Sequence, residues 1–263
     1  MVIDIENVVI NLDSNFRNLS IYPKSSKFII DLENPLKNII SIRLSSIELP
    51  NLFYTFNSFR KSNFFFLNNK KITIESGNYR SSQIVDAIKK LLPEGITISF
   101  DDIAGKITFS RTDKNNFTLS FENDSIYPSL GAQLGFQNSE YINNNTYTGE
   151  SILDVIGDNY VFLKINDFGR VINFYDNNIY FAKIILNQNK NIMIFDNFSN
   201  FVCKTYKFIQ PVNISRLNIE LVDLYGNTID LNNLNFSFTL EIERVLNYYT
   251  KVQAENNIFN NVL

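Results

Sequence analysis

Apolar and polar residues alternate along many stretches of this chain, and this pattern limits its fold more than any other feature. Within residues 39–49, apolar or small side chains occupy every second position from 40 to 46, and Pro50-Asn51 ends the run. Residues 236–243 alternate in the same way. Because successive side chains of a strand point to opposite faces, a period of two predicts strands with one buried and one solvated face.

The predicted strands fall into two groups, one before residue 53 and one after residue 150. The first group comprises residues 28–32 and 39–49, and the second comprises residues 160–165, 179–186, 203–208, 215–222 and 235–244, with a turn at Tyr225-Gly226-Asn227 between residues 217–223 and 228–231. Regularly spaced strands with turn signals are typical of antiparallel sandwiches and barrels. We therefore predict a mainly β fold, an antiparallel, jelly-roll-like β-sandwich formed by residues 1–52 and 150–250.

Residues 53–149 show a different pattern, which predicts a small α+β module with one helix. A hairpin is expected at residues 64–67 and 71–74 around Asn68-Asn69, and a helix from about residue 82 to residue 92, with Ser81 as its N-cap. Further predicted features are strands at residues 96–100, 106–110 and 117–121, a bend at residues 130–136 and a polar, Asn-rich loop at residues 138–152. We expect this module to be inserted between strands of the sandwich. Two domains in series are the alternative, because the sequence does not show which strands pair.

The chain contains no histidine and one cysteine, which excludes several kinds of catalytic site. A Ser-His-Asp or Cys-His arrangement cannot form without imidazole, and neither can a zinc site of the Cys and His type. Cys203 ends the apolar run Phe201-Val202-Cys203, so we interpret it as a buried core residue. One cysteine also excludes an internal disulfide, and we expect the protein to fold in a reducing compartment.

A carboxylate-based hydrolase remains as the enzymatic alternative. Asp101-Asp102 is a pair of acids in a predicted turn, where an aspartate usually bonds its own backbone. Residues 223–227 with Asp230 lack the Asp-x-Asp-x-Asp-Gly pattern of a calcium loop, so a hairpin turn explains them better. The aromatic run at residues 64–66 is interpreted as core packing, because no positive charge adjoins it for stacking of nucleic acid bases. We therefore predict a protein that is not an enzyme and has no catalytic, cofactor-binding or metal-binding residues.

The charge pattern argues against nucleic acid as a partner. The net charge is −3, and basic residues come as scattered pairs such as Lys89-Lys90. A protein that binds nucleic acid through its phosphates presents a basic face, which these pairs do not form. No segment approaches the roughly 20 apolar residues that cross a bilayer, so no membrane span is expected. The early acids Asp4 and Glu6 also differ from the basic start of a secretory signal.

Several motifs resemble those of small virion proteins of giant DNA viruses. They are Asp13-Ser14-x-x-Arg17, Tyr22-Pro23-x-Ser25-Ser26-x-Phe28, residues 40–51, residues 72–79 before the helix, Gly105-Lys106-x-Thr108, and Leu130-Gly131 with Leu134-Gly135-Phe136. In this order they look like minor capsid or penton-type proteins of the nucleocytoplasmic large DNA viruses and their polinton-like relatives. The resemblance covers residues 10 to 245, and the bias toward Asn, Ile, Lys and Phe fits an AT-rich viral genome. Its motifs are structural, so no binding residue is carried over from the family.

The resemblance implies a non-enzymatic structural role in a virus capsid, beneath or between capsomers or at a vertex. It implies a location in the virion after synthesis in the host cytoplasm. The expected partners are the major capsid protein, other minor capsid proteins and further copies of this chain, and no cofactor is expected. A receptor- or glycan-binding β-sandwich on the virion surface is the alternative, although the absence of tryptophan weighs against glycan binding.

Residues 251–263 are interpreted as a C-terminal arm. Its four apolar side chains, Ile258, Phe259, Val262 and Leu263, lie on a polar, Asn-rich spacer. We expect these side chains to dock on a neighbouring subunit, since apolar groups on an otherwise polar segment gain free energy when they leave water. A frayed terminus is the alternative.

Overall fold

Antiparallel strands dominate the protein. A computed structural model describes residues 4–121, 123–186, 190, 192–196 and 205–246. Each strand pairing in this described part is antiparallel. The fold class predicted from the sequence, mainly β with antiparallel sheets of the jelly-roll-like sandwich type, is confirmed.

The chain forms two compact units, residues 1–51 with 158–263, called unit 1, and residues 52–157, called unit 2. The described strands are β1 (Ile5–Asp13), β2 (Lys27–Pro50), β3 (Phe64–Leu67), β4 (Lys70–Thr73), β5 (Ile96–Asp101), β6 (Lys106–Arg111), β7 (Phe117–Ser120), β8 (Glu140–Asn144), β9 (Thr146–Thr148), β10 (Tyr160–Ile165), β11 (Val171–Ile172), β12 (Ile179–Tyr180), β13 (Ala182–Ile185), β14 (Met193–Asp196), β15 (Thr205–Val222) and β16 (Ser237–Val245). The helices are α1 (Ser81–Lys89) and α2 (Leu130–Gln133), and a 3-10 helix covers Ser14–Phe16.

One antiparallel sheet organises unit 1. Its strands follow the order β1-β16-β2-β15-β10-β13, and β14 also pairs with β2. β2 has β16 along one side and β15 along the other. Its fully buried side chains are Phe28, Ile39, Ile42, Leu44, Ile47 and Leu49. The buried face of this central strand therefore forms much of the core of unit 1.

The spacing of these buried residues corrects the predicted face at positions 40 to 46. Alternation breaks between Leu44 and Ile47, where the register with β16 also shifts. A second shift lies between Ile39 and Ser41, so that Ile39 is buried in place of Ile40. Each extra residue at such a bulge moves the following side chains to the other face of the sheet. A strict period of two was therefore the wrong assumption for this strand.

β2 and β15 are longer than the strands predicted from the sequence. β2 spans 24 residues and joins two predicted strands across Pro35. β15 spans 18 residues and joins two predicted strands across Pro211. The register between β2 and β15 shifts on both sides of Val212, and again before Arg216. Proline lacks the N–H that a regular ladder needs, and here both prolines lie where that ladder is irregular.

Three further differences concern the other strands of unit 1. The predicted strand at residues 179–186 is divided at Phe181 into β12 and β13, and β12 pairs with β11 in a separate two-stranded sheet. Residues 228–231 form one isolated bridge, between Thr228 and Val222, and not a strand. β1 was not predicted. Its partner β16 lies more than 220 residues away in the chain, a distance at which no local signal operates.

Unit 2 contains sheets of order β4-β3-β7-β8 and β5-β6-β9. The predicted β3–β4 hairpin is confirmed, with Asn68 at φ 48° and Asn69 at φ 61°. Asparagine tolerates positive φ better than most residues, which suits this two-residue turn. The predicted loop at residues 138–152 is wrong, because it contains β8 and β9. Four of the five residues of β8 are exposed, so its polar composition concealed a strand.

Helix α1 confirms the predicted helix and packs its Ile84 and Ile88 side chains fully into the core of unit 2. Its predicted N-cap was wrong. The cap is Arg80, whose backbone N–H donates to Gln83 Oε1 at 2.9 Å, and Ser81 is the first helical residue. The helix ends at Lys89 and not near residue 92 as predicted, so Leu91 lies beyond it and is exposed.

Candidate protein-binding surfaces

The segment from Asp13 to Pro23, here called the anchored loop, is held by one buried arginine. Arg17 is 8% exposed. Its guanidinium group donates to four oxygen atoms: Ser14 O at 2.7 Å, Asn235 Oδ1 at 2.7 Å, Tyr22 O at 2.9 Å and Pro23 O at 3.1 Å. A guanidinium carries its donors in a rigid planar fork, so these bonds fix the loop from both of its ends.

The anchored loop turns its apolar side chains toward water. Phe16 is 83% exposed, and Leu19 and Ile21 are each more than half exposed. They lie within six positions of one another on a segment whose backbone Arg17 holds in place. Large apolar side chains gain free energy when they leave water, so this loop presents a prepared contact surface.

A second surface is the apolar hairpin, defined as Val171–Tyr180 and formed by β11, β12 and their connecting turn. Its anchor is Asn173, a buried residue whose Nδ2 donates to Leu224 O at 3.1 Å. The backbone N–H of Asn173 also donates to Asn178 O at 2.9 Å, which closes the hairpin. Tyr175 adds an edge-to-face ring contact with Tyr225, at 5.2 Å between centroids.

The end of this hairpin is fixed by a tyrosine–aspartate pair. The Tyr180 hydroxyl donates to Asp176 Oδ2. Burial, and then the bond to the Asp176 carboxylate, raises the pKa of Tyr180 above its usual range. Burial alone would raise the pKa of Asp176, but hydrogen bonds from Tyr180 and Asn178 outweigh it and hold that pKa below its usual range. The pair therefore stays in the neutral tyrosine and charged aspartate form at ordinary pH.

The apolar hairpin also directs large apolar residues outward. Phe174 is 94% exposed, and Ile172 and Ile179 are each more than half exposed. The anchored loop and the apolar hairpin of unit 1 therefore share one arrangement. In each, a buried polar residue donates hydrogen bonds to backbone carbonyls, and large apolar side chains are exposed to solvent. Surfaces of this kind on a well-bonded scaffold are typical of protein contact sites.

A charged cleft of about 490 Å³ lies on unit 1, lined by Ser41, Arg43, Arg170, Thr205, Lys207, Glu241 and Glu243. It contains two acids, the arrangement that a carboxylate hydrolase would require. Glu241 pairs with Arg43, and Glu243 accepts a 2.5 Å hydrogen bond from the Ser41 hydroxyl. Both contacts join residues directly opposite each other on β2 and β16. These carboxylates therefore act as cross-strand partners that hold the sheet together.

The other acidic residues singled out in the sequence serve their own turns. Asp101 Oδ1 accepts from the backbone N–H of Ile103 at 2.9 Å and of Ala104 at 3.0 Å. These two bonds lower the pKa of Asp101. Asp223 Oδ1 accepts from the N–H of Tyr225 and Asn227 in the same manner. The interpretation of both segments as turns is confirmed.

Asp230 does not join the turn at Asp223. One of its carboxylate oxygens accepts from Asn232 N at 2.9 Å, and the other faces Lys24 Nζ at 3.6 Å. Within the described ranges, no group of three or more His, Cys, Asp or Glu side chains is placed to hold a metal ion. Cys203 lies outside those ranges.

An aromatic groove of about 740 Å³ lies on unit 2, with Phe64, Phe66, Phe121 and Phe136 among its lining residues. The interpretation of residues 64–66 as core was right for Phe65, which is fully buried, and wrong for Phe64 and Phe66, which are half-buried. Lys71 Nζ lies 3.8 Å from the centroid of the Phe64 ring, so a positive charge does adjoin this run. Because that ammonium covers one face of the Phe64 ring, this face is not available as an open aromatic platform for a glycan.

The predicted arm belongs to the part of the chain beyond the described residues. Ile258, Phe259, Val262 and Leu263 lie outside the described residues, and their docking role stays a prediction. Among the helices of the described chain, none has the length and apolar character needed to cross a bilayer.

No family model matches this chain, and no curated protein matches it. Among solved structures, the crystal structure of selenomethionine-labelled mavirus penton protein is similar to it, with a TM-score of 0.48 and 13% sequence identity. The similarity covers 90% of this chain and 99% of that chain. Fold does not determine function, so this likeness assigns no activity and no partner to the chain.

Sequence reasoning did not find either of the two apolar surfaces. Arg17, Tyr22 and Pro23 stood out only as part of a family resemblance. A signal was present in Phe16, Leu19 and Ile21, which follow no period of two or 3.6 and therefore fit neither a strand nor a helix core. A short polar segment that contains an arginine and several apolar residues at irregular spacing is the pattern that would predict a rigid contact loop.

Proposed function

We propose that this chain is a non-enzymatic structural component of a virus capsid, of the minor capsid or penton type. The observation that carries the proposal is the pair of apolar surfaces on unit 1. Each is held rigidly by a buried polar anchor, Arg17 in one case and Asn173 in the other. Rigid surfaces lose little conformational entropy on binding, which favours stable association with another folded protein.

The proposed partners are the major capsid protein and other shell proteins. The two surfaces are apolar and lack exposed clusters of basic charge, so they fit protein surfaces better than nucleic acid. The two acids of the charged cleft are both occupied in cross-strand contacts, which supports a structural role for this chain. We place the protein in the virion on the same grounds, together with the resemblance of its motifs to capsid proteins.

The proposal is tested by measuring binding to the major capsid protein with surface variants of the full chain. One variant changes the anchored loop, with Phe16→Ser, Leu19→Ser and Ile21→Ser together, and leaves Arg17 in place. A second variant changes the apolar hairpin, with Ile172→Ser and Phe174→Ser together. Because contact surfaces concentrate their binding energy in a few large side chains, we expect at least one variant to weaken binding by about tenfold or more.

Ile103→Ser is the matched control. Ile103 is as exposed as a side chain can be, but it lies in the β5–β6 turn of unit 2 and outside both surfaces. We expect the control to bind as the wild type does, and we expect the urea midpoint of unfolding to be unchanged in the control and in both surface variants. A loss of binding in a surface variant is then due to the changed surface and not to unfolding. The proposal is wrong if the wild-type chain does not bind the major capsid protein or any other shell protein.

A further inference from the structure

β1 lies at one end of the large sheet of unit 1. It pairs with β16 in an unbroken register that runs from Ile5 opposite Val245 to Asp13 opposite Ser237. Within the described ranges of the chain, no strand pairs with the other side of β1. This outer side is therefore an open edge, with a row of backbone donors and acceptors facing away from the sheet.

The hydrogen bonds at the two ends of β1 show which residues face outward. Leu246 N donates to Asp4 O at 3.0 Å, and Ser14 N donates to Phe236 O at 2.9 Å. Backbone groups of a strand face alternate sides, so even-numbered residues bond to β16 and odd-numbered residues face outward. The outward-facing backbone groups along the strand thus include those of Asn7, Val9 and Asn11.

This edge lacks lysine, proline and a bulge, three devices that often protect an open strand. β1 contains no Lys, Arg, Pro or Gly among its nine residues, and its pairing with β16 has no bulge. The opposite edge of the sheet is different, because β13 has only four residues and Lys183 is one of them. Short length and an inward or central lysine are common means of preventing edge pairing. The contrast indicates that β1 is an edge kept open for a partner.

The sequence of β1 suits a second copy of the chain as that partner. Residues 7–11 read Asn-Val-Val-Ile-Asn, which is nearly the same in both directions about Val9. We propose that two copies pair their β1 strands antiparallel about a two-fold axis at Val9, joining two sheets into one. Val9 then opposes its own copy, and Asn7 opposes Asn11 of the other chain.

The side chains suit this register on both faces. Val9 is 66% exposed, and its face also carries Asn7 and Asn11, whose amides can bond across the pair. On the other face, half-buried Val8 opposes half-buried Ile10 and extends an apolar row. Pairs of similar side chains on each face favour the proposed register over a register shifted by one residue. The shifted register would place apolar side chains on the polar face.

The charges of β1 do not oppose such a dimer. Glu6 pairs with Arg244 of β16, and Asp13 accepts from Asn15 N at 2.8 Å. In the proposed register Glu6 faces Leu12 and Asp13 faces Ile5, so no acid lies directly opposite another. The inference goes beyond the proposed function and does not require it.

The register is tested with charge variants of the full chain, by sedimentation equilibrium over a range of concentrations. Asn7→Lys with Asn11→Lys places like charges opposite each other in both pairs, whereas Asn7→Lys with Asn11→Asp places opposite charges there. Both asparagines are exposed, so neither double variant disturbs the core. We expect a wild-type dimer, a dissociation constant raised about tenfold or more by the double lysine variant, and recovery of the dimer in the lysine–aspartate variant.

Val9→Pro is an independent variant. It removes an N–H that faces outward and spares the bonds to β16, a position where an edge strand accepts proline. We expect a folded monomer, with Val9→Thr as the control that keeps the N–H and the dimer. If the proline variant does not fold, the two charge variants decide.

The inference is overturned if the wild-type chain is monomeric at all concentrations. It is also overturned if the double lysine and lysine–aspartate variants associate equally well. Binding to the major capsid protein is measured in the same preparations. A monomeric variant that still binds it separates this inference from the proposed function, because either can then fail without the other.

Discussion

Arg17 and Asn235 stand 218 positions apart in the chain and meet in a 2.7 Å hydrogen bond between guanidinium Nη1 and amide Oδ1. Ser14 joins the same amide oxygen through its hydroxyl, at 3.2 Å. Its hydroxyl oxygen also accepts from Phe236 N at 2.9 Å. The loop after β1 is therefore fastened to the residues that lead into β16, the strand with which β1 pairs. Packing of the sheet and presentation of the anchored loop depend on the same contacts.

Replacing Arg17 by alanine should destabilise unit 1. The change removes four hydrogen bonds from a nearly buried charged group, and a bond of this kind contributes about 1.5–3 kcal/mol. Because water can reach part of the freed loop, we expect the free energy of unfolding to fall by about 2–4 kcal/mol in urea titrations.

Arg216→Ala is the control for that measurement. Arg216 pairs with the Asp31 carboxylate, but both side chains are largely exposed, whereas Arg17 is buried. Exposed pairs contribute about 0–1 kcal/mol, so a loss of that size is expected for Arg216→Ala. Equal losses for the two arginines would contradict the anchoring role of Arg17.

Gly131→Ala should disrupt the packing of α2 in unit 2. A Cβ at this position would lie 2.1 Å from Phe121 Cγ, well inside contact distance. Phe121 is buried and stacks on Phe136, at 4.9 Å between centroids, so it cannot move aside freely. We expect the free energy of unfolding to fall by about 2–3 kcal/mol or more, as for other overpacked cores.

Gly77→Ala provides the comparison for Gly131→Ala. There the new Cβ would meet Tyr79 at 3.5 Å, an ordinary contact. A loss of less than about 1 kcal/mol is expected, and a loss as large as that of Gly131→Ala would contradict the packing argument.

The free energy of unfolding should decrease at acid pH, partly because the Glu220 carboxylate becomes protonated. Burial alone would raise the pKa of this carboxyl, but hydrogen bonds from Thr228 Oγ1 at 2.5 Å and Lys27 Nζ at 2.9 Å outweigh it and hold the pKa below its usual value. A group whose pKa is lower in the folded state stabilises the fold fully above its unfolded pKa, about 4.3 for glutamate, and loses that contribution as pH falls through the folded pKa.

Glu220→Gln should therefore lose less free energy of unfolding than the wild type between about pH 6 and pH 3. Urea titrations at each pH measure this difference. Asp102→Asn, an equal change of charge at an exposed turn, is the control and should keep the acid dependence of the wild type. A Glu220→Gln profile parallel to the wild-type profile would contradict the assigned contacts.

The C-terminal arm gives a prediction that depends on sequence alone. If Ile258, Phe259, Val262 and Leu263 dock on a neighbouring subunit, deleting residues 253–263 should reduce incorporation of the chain into particles. Replacing the four apolar residues by serine should have the same effect, while replacing the asparagines of the spacer by serine should not. Unchanged incorporation after deletion would remove the arm from this account.

Local signals explain which strands the sequence predicted well. β10 lies at Tyr160–Ile165, the predicted range, and four of its six residues are buried. The β3–β4 hairpin was found because Asn68-Asn69 accepts the positive φ of its turn. In these segments the secondary structure is determined by residues close together in the chain, through their composition and the conformation of the turn.

Errors arose where distant contacts decide the structure. The face of β2 shifts at bulges whose cause is the register with β16, and the sequence of β2 alone does not reveal them. β8 and β9 are polar because they are mostly exposed, so they looked like a loop. β2 and β15 each join two predicted strands across a proline, Pro35 in one and Pro211 in the other, because the irregular ladder between them accommodates both. Long-range pairing overrides local preference in each case.

The candidate surfaces were harder to predict than the fold. The sequence correctly marked Asp101 and Asp223 as turn residues, because an aspartate bonds nearby backbone groups. It could not show that Arg17 is buried, since its partner Asn235 lies at the other end of the chain. Without the burial of Arg17, the sequence shows no scaffold for the exposed side chain of Phe16. The same holds for Phe174 without the burial of Asn173.

The central proposal, that this chain is a structural capsid protein, is tested most directly by counting its copies in purified virus particles. Absolute quantification by mass spectrometry against the major capsid protein gives that number. The account predicts a fixed ratio, the same between preparations and retained after washing in high salt. Absence of the chain from purified particles, or trace amounts that washing removes, would contradict it.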